Sequence, residues 1–181
     1  DFTDKMALQE SQRFQLKLSF KESANYTETD LIYHRMEWEI NPNVKYIKGI
    51  VTSYFISQVE NLMKIEFDLN DRMKVDSVIQ HKLKIGFTQI ENKLVINLNE
   101  PLKNLQTDSV HVYYQGVPES ETNGFGSFTQ STHAGMPIIW TLSEPYGAME
   151  WWPCKQSLVD KIDSIDIIVT TPKMYRTASN G

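Results

Sequence analysis

Cysteine is nearly absent, positive charge is not in excess, and no long apolar run occurs; each scarcity excludes something. Cys154 is the only cysteine among 181 residues, so no internal disulfide can form and no thiolate cluster can hold zinc. A formal net charge of −5 leaves no basic footprint for phosphates, and no nucleic-acid partner is expected. No stretch approaches the roughly 18 apolar residues of a membrane span, so none is expected. The chain shows no signal peptide, starts at Asp1 rather than Met and stops at "SNG", which reads as an excerpt of a longer protein. Its compartment stays open, because one thiol suits a reducing or an oxidising setting alike.

Catalytic signatures are missing too. His34, His81, His111 and His133 never take the His-Glu-x-x-His spacing that sets two imidazoles one helical turn apart for zinc. There is no Gly-x-Ser-x-Gly elbow and no phosphate-cradling glycine loop. Cys154 follows "WWP" with only Lys155 as a basic neighbour, so a packed thiol is expected rather than a nucleophile. His34 shares an apolar face with Met36 and Trp38 and reads as a core histidine. No catalytic residue, metal ligand or cofactor site is expected within the chain.

What the chain does have is alternation. "IYHRMEWEI" puts His34, Met36, Trp38 and Ile40 on one face; "LMKIEFDL" does so with Met63, Ile65, Phe67 and Leu69. "KLKIGFT" repeats the pattern with Leu83, Ile85 and Phe87, and "SVHVYYQ" with Val110, Val112 and Tyr114. Period two with one apolar face is the mark of half-buried antiparallel strands. Turn-forming punctuation at "NPN", "LND", "NEP" and "GVP" separates them, and the spacing indicates an all-β, antiparallel β-sandwich over residues 30–181. Residues 1–29 read as a leader carrying a short helix at "MALQESQRF". Residues 119–135, rich in Gly, Ser, Thr and Asn, read as a long loop or loose hairpin. Strands follow at "MPIIWTLSEP" and at "IDSIDIIVTTP", the second with Ile165, Ile167 and Val169 on one face.

"SEPYGAMEWW" places Glu144 and Glu150 in a turn crowded by Tyr146, Trp151 and Trp152. The residues alone leave two readings open: solvated carboxylates, or an aromatic interface or pocket. The three aromatics are expected to form a surface cluster.

From Trp140 onward the chain resembles the N-terminal domain of the aminopeptidase N family of zinc metallopeptidases, which includes leukotriene hydrolases. That family runs Thr-Gln-x-Glu-Pro, then Pro-Cys-x-Asp-x-Pro-x-x-Lys, a strand closing in proline, and Ser-Asn-Gly. The matching positions are Thr141, Leu142, Glu144 and Pro145; Pro153, Cys154, Gln156, Leu158 and Lys161; Pro172, and Ser179 to Gly181. "YIKGIVTSYF" and "YYQGVP" match more loosely. Three positions depart: Leu142 stands for glutamine, Gln156 for aspartate and Leu158 for the second proline. The family's Gly-Ala-Met-Glu-Asn motif lies on an edge strand of the catalytic domain. Gly147 to Glu150 therefore match it by chance, with Trp151 where Asn would stand.

The resemblance implies a saddle-like, non-catalytic domain forming one wall of a substrate cleft. Glu144, with Leu142, would help bind the ammonium of a peptide substrate's N-terminus, a bond that suits a carboxylate in a partly desolvated cleft. Tyr146, Trp151 and Trp152 would face the chain's own catalytic domain. Zinc and its activated water would belong to that domain, beyond Gly181. The competing reading is a stand-alone β-sandwich that binds protein or glycan through the aromatic turn and the 119–135 loop.

Overall fold

The computed structural model describes residues 4, 7, 8, 11, 24–118, 127–143, 146–157 and 159–179. The helix expected at the N terminus lies largely outside them. Among the described residues eleven strands follow a 3₁₀ turn at Ala24–Glu28: β1 (Thr29–Ile40), β2 (Ile47–Ser57), β3 (Leu62–Asp68), β4 (Met73–Gln80), β5 (Leu83–Ile85), β6 (Phe87–Ile90), β7 (Lys93–Leu102), β8 (Thr107–Gly116), β9 (Phe128–His133), β10 (Met136–Thr141) and β11 (Ser164–Thr170). A six-stranded sheet in the order β11-β1-β2-β8-β4-β5 faces a three-stranded sheet, β3-β7-β6, with β9 and β10 as a separate hairpin. The all-β sandwich read from alternation is the fold observed.

Its core lies between the sheets. The inward face of β1 buries His34, Met36 and Trp38, that of β8 buries Val110, Val112 and Tyr114, and β3 and β7 contribute Ile65, Phe67, Leu94 and Ile96 from the other side. Gly49 sits opposite Trp38 and Tyr114 because nothing larger fits: an added Cβ would lie 2.8 Å from each ring.

Several expectations are corrected. Met63 is exposed and Leu62 is buried in its place, because the pairing of β3 with β7 slips between Leu62 and Lys64 and exchanges the faces there. Leu83 lies on the inward face but is 55% exposed, since β5 is a three-residue edge strand at the rim of the larger sheet. "KLKIGFT" is two strands rather than one: at Gly86 the chain leaves the six-stranded sheet and enters the three-stranded one. Phe87 is accordingly only half-buried. The last strand, β11, runs parallel to β1, with Ile167 beside Met36 and Val169 beside Trp38. The region read as a loop or loose hairpin contributes a regular strand, β9, to a tight hairpin, while residues 119–126 lie outside the described residues.

Candidate functional site

The Glu-Pro to Pro-Cys segment is anchored to the sandwich at its far end. Cys154 forms an isolated antiparallel bridge with Asp68, the Asp68 N–H donating to the Cys154 carbonyl at 2.7 Å and the Cys154 N–H to the Asp68 carbonyl at 3.0 Å. The Asp68 side chain, 1% exposed, accepts from Lys93 Nζ at 2.5 Å, from the Gln156 N–H at 3.2 Å and from the Tyr26 hydroxyl. That environment raises the Tyr26 hydroxyl far above its usual pKa, through burial first and then the adjacent Asp68 charge. A few residues on, Lys155 Nζ donates to the Thr29 carbonyl at 2.5 Å and pairs with Asp160. Buried charge held by several donors fixes the turn in place.

Cys154 is a packed thiol, buried and with its pKa pushed well above the ordinary value, mainly by desolvation and then by Asp68. Trp151 departs from the surface expectation. It is 7% exposed, its ring centroid is 4.6 Å from that of Trp38, and its carbonyl accepts from Tyr114 Oη at 3.1 Å. Trp38 Nε1 in turn donates to Tyr114 Oη at 2.8 Å, so the turn is stitched into the core. Alternation could not signal this burial, because Trp151 lies in irregular chain. Trp152 is half-buried, its ring edge-on to His34 at 5.5 Å, and Tyr146 is also half-buried.

Ala148–Glu150 form a 3₁₀ turn, not an edge strand, and Glu150 accepts the Ser127 N–H at 3.2 Å. Leu142 is 48% exposed just after β10. Glu144, Pro145 and Leu158 lie outside the described residues.

The four histidines do not converge. His34 is buried beside Ser53, its Nδ1 2.9 Å from the hydroxyl; His111 Nδ1 contacts Thr52 Oγ1 at 2.8 Å; His81 Nε2 is 2.8 Å from Asp108. His133 sits at the hairpin tip. Among the described residues no group of three or more His, Cys, Asp or Glu is placed to hold a metal. No described helix is long and apolar enough to cross a membrane.

His34 gives a pH-dependent prediction. Burial lowers its pKa from 6.5 to about 4, the hydrogen bond to the Thr52 backbone opposing this only in part. Between those values the unfolded imidazole takes up a proton and the folded one does not, so stability falls as pH drops from about 6.5 to 4. The expected contribution is on the order of 3 kcal/mol. Urea denaturation of the wild type and His34→Gln at pH 7 and pH 4.5 checks it: the wild type should lose more stability on acidification. Equal losses would show that His34 does not titrate differently on folding.

No family model and no curated protein matches this sequence. Solved structures do. A substrate-bound M1 zinc metallopeptidase variant from Deinococcus radiodurans aligns at 24% identity over 80% of this chain and 33% of that one, with a TM-score of 0.67. A two-domain M1 zinc metallopeptidase variant bound to L-arginine aligns at 23% identity over 85% of this chain and 37% of that one, with a TM-score of 0.68. Leukotriene A4 hydrolase from Saccharomyces cerevisiae aligns at 17% identity over 82% of this chain and 24% of that one, with a TM-score of 0.65. This chain has the fold of the N-terminal domain region of M1 zinc metallopeptidases. It spans about a third or less of the length of the solved relatives from Deinococcus and yeast.

Proposed function

We propose that this chain is the non-catalytic N-terminal domain of a zinc aminopeptidase-like metallopeptidase, forming one wall of its substrate cleft. The observation that carries the reading is the likeness of fold, which takes in 80–85% of this chain and only a third or so of the M1 enzymes. Two features support it: the described histidines are scattered, and the segment from Thr141 to Lys161 holds the residue pattern that resembles the family. In this reading Glu144 receives the ammonium of a peptide N-terminus, and the exposed Leu142 beside it makes the first subsite more apolar than a glutamine would. Tyr146 and Trp152 meet the catalytic domain, and Trp151 holds the turn from inside. The domain contributes shape and one carboxylate; zinc chemistry belongs to the rest of the enzyme.

The test separates the domain from the chemistry. Residues 1–181, stripped of metal and reloaded, should retain no stoichiometric zinc and cleave no aminoacyl reporter substrate. The polypeptide that includes the catalytic domain should do both. Zinc held by His34, His81, His111 or His133 in the short chain, or hydrolysis by it, would overturn the assignment.

A further inference from the structure

Among the described residues, no strand pairs with the outer edge of β10 in the β9–β10 hairpin. Ala134 and Gly135 form its two-residue turn with φ of 49° and 78°, so the flanking His133 and Met136 make a hydrogen-bonded pair. Such pairs recur at every second position, Ile138 with Ser131 and Trp140 with Thr129. The bond from the Leu142 N–H to the Ser127 carbonyl, 3.1 Å, continues the series. Pro137, Ile139 and Thr141 therefore aim their backbone groups away from β9. Among the described residues no third strand pairs with β10. Its free edge offers the N–H and carbonyl of Ile139 and Thr141, and the carbonyl of Pro137. Proline is tolerated on such an edge because no ladder donor is needed there.

A groove of about 530 Å³ runs along that edge, within the usual range for a ligand site. The run Pro137–Thr141 lines it on one side; Ile167, Val169 and the segment 175–179 line it elsewhere, with Trp38 and Trp151 also contributing. Among the described residues Arg176 is the only charged one in the lining, in a chain whose net charge is −5. Its guanidinium donates to the Lys173 and Tyr175 carbonyls at 3.1 and 3.0 Å, and among the described residues the lining holds no carboxylate. An unpaired strand edge, apolar walls and one cation together describe a particular occupant.

We propose that this groove is a peptide-binding site that works by strand addition. An extended peptide with apolar side chains pairs with Ile139 and Thr141 of β10, and a carboxylate on the peptide meets Arg176. Backbone pairing supplies affinity, while the apolar walls and Arg176 supply selectivity.

The experiment uses the full 181-residue chain and a fluorescently labelled acetyl-Val-Thr-Ile-Thr-Glu peptide. Binding should slow amide hydrogen exchange at Ile139 and Thr141. N-methylation of the peptide's internal amides keeps the side chains but removes the donors, and should weaken binding at least about tenfold. Replacing the peptide's glutamate by lysine should also weaken binding, and Arg176→Gln should erase that preference while leaving backbone pairing intact. Undiminished binding of the N-methylated peptide, or binding without protection of Ile139 and Thr141, would overturn the proposal. So would protection of those two amides in the free chain, because segment 175–179 would then already occupy the edge.

Discussion

Trp38→Ala is expected to lower folding stability by about 3–5 kcal/mol, the usual cost of truncating a large core aromatic. Trp38 is 5% exposed, packs against Trp151 and donates its indole N–H to Tyr114 Oη. The truncation opens a cavity between the sheets and removes the hydrogen bond that precedes the one from Tyr114 to the Trp151 carbonyl. It should therefore also loosen the aromatic turn, which hydrogen exchange at residues 150–154 would report. Trp38→Phe should lose less, because most of the ring volume remains. Denaturant titration of the three proteins checks the ranking, and a loss below about 1 kcal/mol for Trp38→Ala would mean that the core closes without it.

The second large effect lies at Asp68. Asp68→Ala takes the nearer carboxylate from the Lys93 ammonium, leaving Glu66 at 3.6 Å, and removes the acceptor of the Tyr26 hydroxyl; losing one side of such a buried pair costs up to about 3–5 kcal/mol. Part of that loss comes from the poorer compensation of the ammonium, so Asp68→Ala with Lys93→Met should recover some of it. If the double variant is no more stable than Asp68→Ala, the ammonium is not what destabilises. In the proposed function the site also counts, because the same carboxylate accepts the Gln156 N–H and so positions the Pro-Cys end of the segment that carries Glu144.

Much of this fold was legible in the sequence wherever alternation ran unbroken. β1, β8 and β11 show it most clearly, since their apolar sets point inward as period two requires. What was hidden depended on events that leave no mark on periodicity. A register slip exchanged Met63 for Leu62, and a switch between sheets at Gly86 split one apparent strand. Parallel pairing of β11 is likewise invisible, because alternation does not record strand direction. Of the candidate site, the packed thiol of Cys154 followed from local pattern. Burial of Trp151 did not, because it depends on Tyr114 and Trp38, well over 30 residues away in the chain. Nor did the Asp68 network, since an aspartate in an alternating strand reads as solvent-facing until Lys93 and Tyr26 are seen around it.

The central claim is that this domain supplies a carboxylate to the substrate's free amine, and Glu144 is the residue on which it rests. The decisive measurement is kcat/KM of Glu144→Ala in the complete enzyme, on matched peptides with free and N-acetylated termini. Loss of one charge-assisted hydrogen bond corresponds to about 1.5–3 kcal/mol, so the free-amine peptide should lose roughly ten- to a hundredfold. The blocked peptide has no ammonium to lose and should change little, and zinc content should stay the same. An equal loss on both peptides would contradict the account, leaving Glu144 as a residue that only shapes its loop.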